Sequence, residues 1–259
     1  MGSSPFTRTF GRSPFGAGFF RSVEGYYGRF FAYISDMYQE LLGYSFGEGA
    51  EAFTSRRDSV LPYPVIQGHQ VHGDRIAVID RPDMTRADLE GYDAFICRLP
   101  GVAIGVRTAD CVPILLYDPV QRVVGAVHSG WKGTVLKISL KTISLMERDL
   151  GCCPADLRAV IGPSIGPDSF QVGPEVVEKF RDAGFPMNHI WSFRGEGDGS
   201  PMSGGHHIDL FRANKWILEE SGVRDIQVFD IDTFTDMSFF SARREGTACG
   251  RNINAIRLI

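Results

Sequence analysis

Cys111 and His128 stand at the two ends of a pair of apolar segments, and both side chains can bind a metal or take part in nucleophilic chemistry. The segments VPILLY and VVGAV read as two strands, and Asp118 and Pro119 between them suit the first positions of a type I turn. A hairpin whose turn is centred between Pro119 and Val120 places Cys111 directly opposite His128. The spacing therefore predicts that these two side chains meet.

A third donor is available in the segment GHQVHGD. Directly opposed strand residues hold their Cβ atoms about 4.5–5.5 Å apart, a separation that a zinc ion can bridge. His69 and His72 point to opposite sides of an extended chain, so only one of them is expected to face Cys111. We choose His72, because Gly73 after it indicates a bend. Two histidines and one cysteine leave a fourth position open, as in catalytic zinc sites.

The turn that follows His128, SGWKGT, leads into a predicted helix. Ser129, Gly130 and Gly133 suit a tight strand-to-helix connection whose backbone N–H groups favour an anion such as phosphate. Trp131 in the same turn suits either the core or stacking on a flat ligand. We therefore expect an anion to bind beside the predicted metal.

These residues need a sheet and covering helices to position them. Short apolar runs separated by Gly, Pro and Asp predict strands between residues 65 and 127 and again at 225–232 and 252–259, and 3.6-residue periodicity predicts helices at 133–150, 173–183 and about 209–221. Strands in direct succession favour an α+β fold with a mixed sheet. We predict a loose arm over residues 1–20, a single catalytic domain over 21–259 and a long loop over 194–207.

Composition excludes several classes of function. The 259-residue chain carries a formal net charge of -4 and shows no basic stripe, so we expect no nucleic-acid partner. It has no apolar run of bilayer length and no secretory signal, so we expect neither a membrane partner nor export. Five cysteines, an odd number, indicate reduced thiols and a cytoplasmic protein. Apart from Cys111, the cysteines are expected to be inert.

Several ordered motifs resemble the YfiH-like, or laccase-domain, family. They are QVHG, TADCVPILLYD, AVHSGWKGT, IGPSIGPDSFQVGPEV, HHIDL and FFSARREGTACGR, and they span most of residues 65–259. The resemblance implies mixed sheets layered between helices in an α/β/β/α arrangement. It implies a zinc bound by His72, Cys111 and His128, in a monomer or small homo-oligomer. It also implies phosphorolysis of adenosine, inosine, guanosine and methylthioadenosine, with adenosine deamination as a further activity.

The chain departs from the family pattern in its N-terminal third and at IGPSIG, where the family has IGPCIG. Arg56 or Arg57 is the candidate counterpart of a phosphate-binding residue there. With nucleoside and inorganic phosphate as partners, we expect Arg57, Arg243 or Arg244 to hold the phosphate together with the SGWKGT turn. For deamination Asp110 is the candidate proton carrier, which requires a bend between residues 109 and 111.

Three other functions remain open at this point. A copper-dependent polyphenol oxidase fits the older family name, although six histidines are few and scattered for a multinuclear cluster. A cysteine hydrolase or amidase acting on cell-wall precursors would use Cys111 as nucleophile and His128 as base. A binding module would need no open metal position. The bound ion itself could be zinc or copper.

Overall fold

The computed structural model describes residues 41–195 and 204–259. The strands are β1 (Leu41–Ser45), β2 (Ala50–Ser55), β3 (Val65–Ile66), β4 (Ile76–Ile79), β5 (Ala94–Cys97), β6 (Ala103–Thr108), β7 (Val112–Asp118), β8 (Val123–Ser129), β9 (Arg158–Ile161), β10 (Gln171–Val172), β11 (Trp191–Arg194), β12 (Gly205–Ile208), β13 (Asp225–Val228) and β14 (Asn252–Leu258). The helices are α1 (Trp131–Val135), α2 (Ile138–Leu150), α3 (Pro174–Asp182), α4 (Met187–Ile190), α5 (Leu210–Glu220) and α6 (Ala242–Glu245). The predicted arm lies outside the described residues, as does part of the predicted loop.

Two large mixed sheets form the centre of the fold. One has the strand order β1-β2-β14-β6-β3 and the other β13-β9-β7-β8-β5-β4, and a three-stranded sheet has the order β10-β12-β11. Antiparallel pairs dominate both large sheets, while β3 with β6, β4 with β5 and β9 with β13 are parallel. The mixed α+β architecture predicted from the sequence is confirmed.

The burial of strand β7 explains why its residues are apolar throughout instead of alternating between apolar and polar. Ile114 and Leu116 pack in the cluster shared with the helices, whereas Leu115 and Tyr117 pack in the cluster shared with the five-stranded sheet. All seven residues of the strand are buried, because each face meets another layer. The six-stranded sheet is thus the middle layer, and its strand ends can carry a site between the two sheets.

The hairpin of β7 and β8 has a different register from the predicted one. Val112 pairs with Ser129 and Pro113 with His128, so Cys111 precedes the paired segment instead of lying opposite His128. The connection is longer than predicted because Asp118 pairs with Val123, and Arg122 adopts a left-handed φ of 53°. The partner of His128 is displaced by two positions, and two positions preserve the face of a strand. Cys111 and His128 therefore still approach one another.

The predicted helix over 133–150 is two helices. Helix α1 begins at Trp131, and a left-handed Lys137 with φ 55° separates it from α2. Helix α2 ends at Gly151, whose φ of 71° suits a glycine C-cap, as the sequence indicates. The helices predicted at 173–183 and 209–221 are confirmed as α3 and α5 within a residue or so at each end. Helix α1 is thus a separate short helix, and only Gly130 lies between it and the end of β8.

Candidate metal centre

His72, Cys111 and His128 form one cluster. Their donor atoms all lie within 4.8 Å of one another, and the two imidazole rings meet edge to face with centroids 4.8 Å apart. His128 is buried at the end of β8, Cys111 is half-buried before β7, and His72 is exposed in a bend. The three residues selected from the sequence are brought together, although not by the predicted register.

Asp93 organises this cluster from beneath. Its buried carboxylate accepts hydrogen bonds from the backbone N–H groups of Val71 at 3.1 Å, His72 at 2.9 Å and Gly73 at 2.9 Å. The same carboxylate lies 2.7 Å from Nδ1 of His128. These bonds hold His72 in its left-handed conformation, with φ 62°, and leave Nε2 of His128 for the cluster.

The cluster is strongly coupled electrostatically. Burial opposes ionisation of Cys111, but the charge and hydrogen bond of His128, together with His72, outweigh it and lower the pKa of the thiol to about 6. Burial likewise opposes a charged His128, but the Cys111 thiolate and Asp93 raise the pKa of this imidazole to about 9. In the metal-free protein, a thiolate beside an imidazolium is therefore the favoured state near neutral pH.

Gly130 makes room for the sulfur. A Cβ atom at this position would lie 2.9 Å from Sγ of Cys111 and 3.1 Å from Cδ2 of His72. Gly133 is also closely surrounded, because its Cβ would lie 3.3 Å from the carbonyl oxygen of His128. These glycines, predicted to serve an anion-binding turn, border the cluster itself.

The donor set fits a divalent metal. One thiolate and two imidazoles around a tetrahedral zinc have donor atoms about 3.5 Å apart, and the three donor atoms here lie within 4.8 Å of one another. Asp93 supplies the carboxylate that commonly orients a metal-binding histidine. Three protein ligands leave one coordination position for water or substrate.

The cluster opens into a cavity of about 790 Å³. Trp131, Ile165 and Phe170 give it apolar surface, and Trp131 also packs on the core shared with the helices. Asp110 lines it as well and has a left-handed φ of 88°, which provides the bend that the proton-carrying role requires. Its carboxylate accepts hydrogen bonds from the Thr233 hydroxyl at 2.8 Å and the backbone N–H of Arg243 at 2.6 Å. The volume suits a ligand of nucleoside size.

The predicted phosphate-binding residues are dispersed. Arg243 lines the cavity and donates to the carbonyl of Gln171 at 3.0 Å. Ser129 instead directs its hydroxyl to Asn214 at 2.7 Å in the interior. Arg57 binds Glu245 through two nitrogen atoms, at 2.9 and 2.6 Å.

Arg244 is similarly occupied, since it donates to the carbonyl oxygens of Thr233, Phe234 and Phe239 at 2.6–2.7 Å. Arg57, Ser129 and Arg244 are not among the residues that line the cavity in the described part of the chain. Because these side chains bind structural partners, the structure does not bring them to the cavity. The catalytic and binding roles assigned to them stay predictions.

The sequence did not identify Asp93 or the arginines Arg86, Arg107 and Arg251, which line the cavity. Asp93 had a detectable signature, because it is a lone acid directly before the fully buried strand β5. A buried carboxylate at that position requires a partner. The arginines come from distant segments, and only the fold shows that they share a cavity.

A family model described as multi-copper polyphenol oxidoreductase laccase matches residues 42–259. The chain belongs to this family. The laccase-domain resemblance seen in the motifs is thereby confirmed. Adenosine deaminase RL5 from an unidentified prokaryote is 40% identical over 201 residues, which cover 74% of this chain and 74% of that protein.

Two further proteins are similar to the chain. A purine nucleoside phosphorylase of Bacteroides thetaiotaomicron is 42% identical over 173 residues, covering 66% of this chain and 62% of that enzyme. The crystal structure of the Bacillus licheniformis hypothetical protein YfiH superposes with a TM-score of 0.72 at 25% identity, covering 81% of this chain and 93% of that one. The chain is thus an enzyme of this family.

No helix in residues 41–195 and 204–259 combines the length and the apolar character needed to cross a membrane.

Proposed function

We propose that this chain is a zinc-dependent purine nucleoside phosphorylase that also deaminates adenosine. The observation that carries the proposal is the cluster of His72, Cys111 and His128 opening into a cavity of about 790 Å³. Relatives of the same family are named purine nucleoside phosphorylase and adenosine deaminase. Adenosine, inosine, guanosine and methylthioadenosine are the proposed nucleosides, with inorganic phosphate as the second substrate.

Phosphorolysis requires that phosphate and nucleoside share the cavity. An oxygen of HPO₄²⁻ forms a bond to C1′ of the ribose while the bond from C1′ to N9 breaks. The bonding electron pair leaves with the purine, and the proton of the phosphate ends on N9. Trp131 and Phe170 offer apolar surface for the base, and the arginines that line the cavity offer charge for the anion. The protein thus contributes mainly by orienting both substrates.

Deamination places different demands on the cavity. When bound, a zinc ion at His72, Cys111 and His128 supplies Lewis acidity and the activation of a water molecule at neutral pH. Water then adds to C6 of the purine, and ammonia leaves. Asp110, fixed by Thr233 and the backbone of Arg243, is the proposed carrier of the water's proton to the leaving amine.

Zinc is proposed over copper because of the available donors. A blue-copper site adds a weak axial methionine to two histidines and one cysteine. Methionine is not among the residues that line the cavity in the described part of the chain. Within residues 41–195 and 204–259, His72, Cys111 and His128 are also the single group of three such donors. A multinuclear copper oxidase needs several donor groups of this kind.

A cysteine hydrolase is the second candidate, and the hydrogen-bonded series Cys111, His128 and Asp93 favours it. A nucleophile, a base and an orienting carboxylate in this order can perform acyl transfer. Metal content separates the two candidates. A zinc-dependent enzyme retains about one zinc per chain and loses it in Cys111→Ser, whereas a hydrolase is active without metal.

The deciding experiment incubates the zinc-loaded chain with adenosine, with and without inorganic phosphate. The proposal predicts ribose 1-phosphate only when phosphate is present, in an amount equal to the sum of adenine released from adenosine and hypoxanthine released from inosine. It predicts inosine in both conditions. Cys153→Ser, which replaces an exposed cysteine outside the cavity, is expected to retain both activities, whereas Cys111→Ser loses both. If neither base nor inosine is formed, the nucleoside assignment is wrong.

A further inference from the structure

Three arginines line the cavity without a carboxylate partner. Arg86, Arg107 and Arg251 all line it, and burial together with the charges of Arg86 and Arg251 lowers the pKa of Arg107. Among residues 41–195 and 204–259, no carboxylate lies within ion-pair distance of any of the three. Like charges held together in this way favour an anionic ligand.

Two of these arginines are fixed by neutral partners. Gln70 donates to the backbone carbonyl of Arg107 at 3.0 Å and accepts from its N–H at 2.8 Å. Arg251 donates to the carbonyl oxygens of Thr247 at 2.8 Å and Gly250 at 2.9 Å. The Gln70 bonds hold the backbone of Arg107, the carbonyl bonds hold the guanidinium of Arg251, and neither set neutralises a positive charge. A pre-arranged guanidinium loses less freedom when it binds a ligand.

The cavity has little negative charge to balance these arginines. Asp110 is the one carboxylate among the lining residues that the structure describes, and its oxygens are already occupied by Thr233 and by the backbone of Arg243. Elsewhere, arginines such as Arg57 and Arg257 are paired with glutamates, at 2.6 Å each. The described lining residues of the cavity therefore include four arginines, Arg86, Arg107, Arg243 and Arg251, against the one carboxylate of Asp110.

We propose that Arg86, Arg107 and Arg251 form the subsite that binds inorganic phosphate. The inference rests on the proposed function, because it places the second substrate of phosphorolysis. It moves the phosphate from the predicted SGWKGT turn, where the Ser129 hydroxyl faces Asn214, to arginines from three separate segments. A planar guanidinium offers paired N–H donors that match phosphate oxygens. Deamination uses no phosphate and does not depend on this subsite.

The test compares Arg107→Met with Arg224→Met, which replaces an exposed arginine outside the cavity. Loss of one charge-assisted hydrogen-bonding group should raise the KM for phosphate by about tenfold to a hundredfold in Arg107→Met. Adenosine deamination by the same variant should change by less than about twofold, and Arg224→Met should match the wild type. The phosphate KM of Arg107→Lys should lie between the values of those two variants, because lysine keeps the positive charge but lacks the paired N–H donors of a guanidinium.

An unchanged phosphate KM in Arg107→Met overturns the inference. Equal losses of phosphorolysis and deamination also overturn it, because they indicate a structural role. Arg86→Met serves as a second variant, since Arg86 is exposed and its replacement disturbs little packing. It should also raise the phosphate KM, and an unchanged value in Arg86→Met contradicts a subsite that includes Arg86.

Direct binding distinguishes this inference from the proposed function. Calorimetric titration of inorganic phosphate into the zinc-loaded chain needs no nucleoside. Binding that weakens by about tenfold or more in Arg107→Met supports the subsite even if no nucleoside is converted. Phosphate-dependent base release with unchanged phosphate binding in Arg107→Met overturns the subsite and leaves the proposed function standing.

Discussion

Gly130→Ala is expected to damage the metal centre by steric pressure alone. The backbone at Gly130 has φ -64° and ψ 171°, a conformation that alanine adopts without strain. The added Cβ would lie 2.9 Å from Sγ of Cys111 and 3.1 Å from Cδ2 of His72. Ordinary contacts between such atoms are about 3.5–4.0 Å, so two of the three ligands must move by roughly 0.4–0.6 Å or more.

The expected cost follows from this overlap. Overpacking a tightly filled site by one methyl group costs about 1–3 kcal/mol. If the metal-bound geometry carries this cost, zinc binds about 5- to 150-fold more weakly. The stability of the metal-free protein should change less, because an unbound Cys111 side chain can rotate away.

Zinc affinity is measured by competition with a chromophoric chelator, and thermal unfolding of the metal-free protein is recorded in parallel. Gly43→Ala is the matched control, since no atom lies within 4 Å of its added Cβ. It should bind zinc like the wild type. An unchanged zinc affinity in Gly130→Ala would refute the view that a glycine is needed at this position to make room for the sulfur atom of Cys111.

Three further predictions concern charge. The Asp93 carboxylate accepts hydrogen bonds from three backbone N–H groups and lies against Nδ1 of His128, so Asp93→Asn should lower the zinc affinity about 10- to 100-fold. Asp74→Asn, which removes the partner of Lys141 at a half-buried position, should change the zinc affinity little. Equal zinc affinities in the two variants would contradict the orienting role of Asp93. Iodoacetamide should alkylate Cys111 of the metal-free protein with a midpoint near pH 6 and should be blocked by zinc, whereas a midpoint near the ordinary thiol value of about 8.5 would count against the thiolate–imidazolium pair. Arg57 lowers the pKa of Glu245 to about 2, so this carboxylate stabilises the fold above its ordinary pKa of 4.5 and loses that effect as the pH falls towards 2. Glu245→Gln should therefore lose less thermal stability than the wild type between about pH 5 and pH 3, and identical pH profiles would show that the pair contributes nothing.

The strands and most helices could be predicted because their burial follows local patterns. The apolar run of β7 is buried on both faces, and Gly151 ends α2 as its position indicates. The break at Lys137 was not predictable, because a left-handed lysine has no sequence signature. The hairpin register was wrong by two positions, since Arg122 takes a left-handed conformation in the connection.

The site was only partly predictable. His72, Cys111 and His128 could be selected from residue type and spacing. The predicted hairpin register was wrong by two positions, and a shift of two positions leaves each side chain on the same face of its strand. The proposed arginine subsite depends on a cavity that is lined by residues as distant in sequence as Arg86 and Arg251, which no local pattern reports.

We propose that His72, Cys111 and His128 hold the metal on which activity depends. The most direct test titrates zinc into the metal-free chain while recording phosphate-dependent release of adenine from adenosine. We predict that activity rises linearly and saturates at about one zinc per chain, and that Cys111→Ser stays at the baseline at every zinc concentration. Full activity in the metal-free wild type, or zinc activation that persists in Cys111→Ser, would contradict the claim.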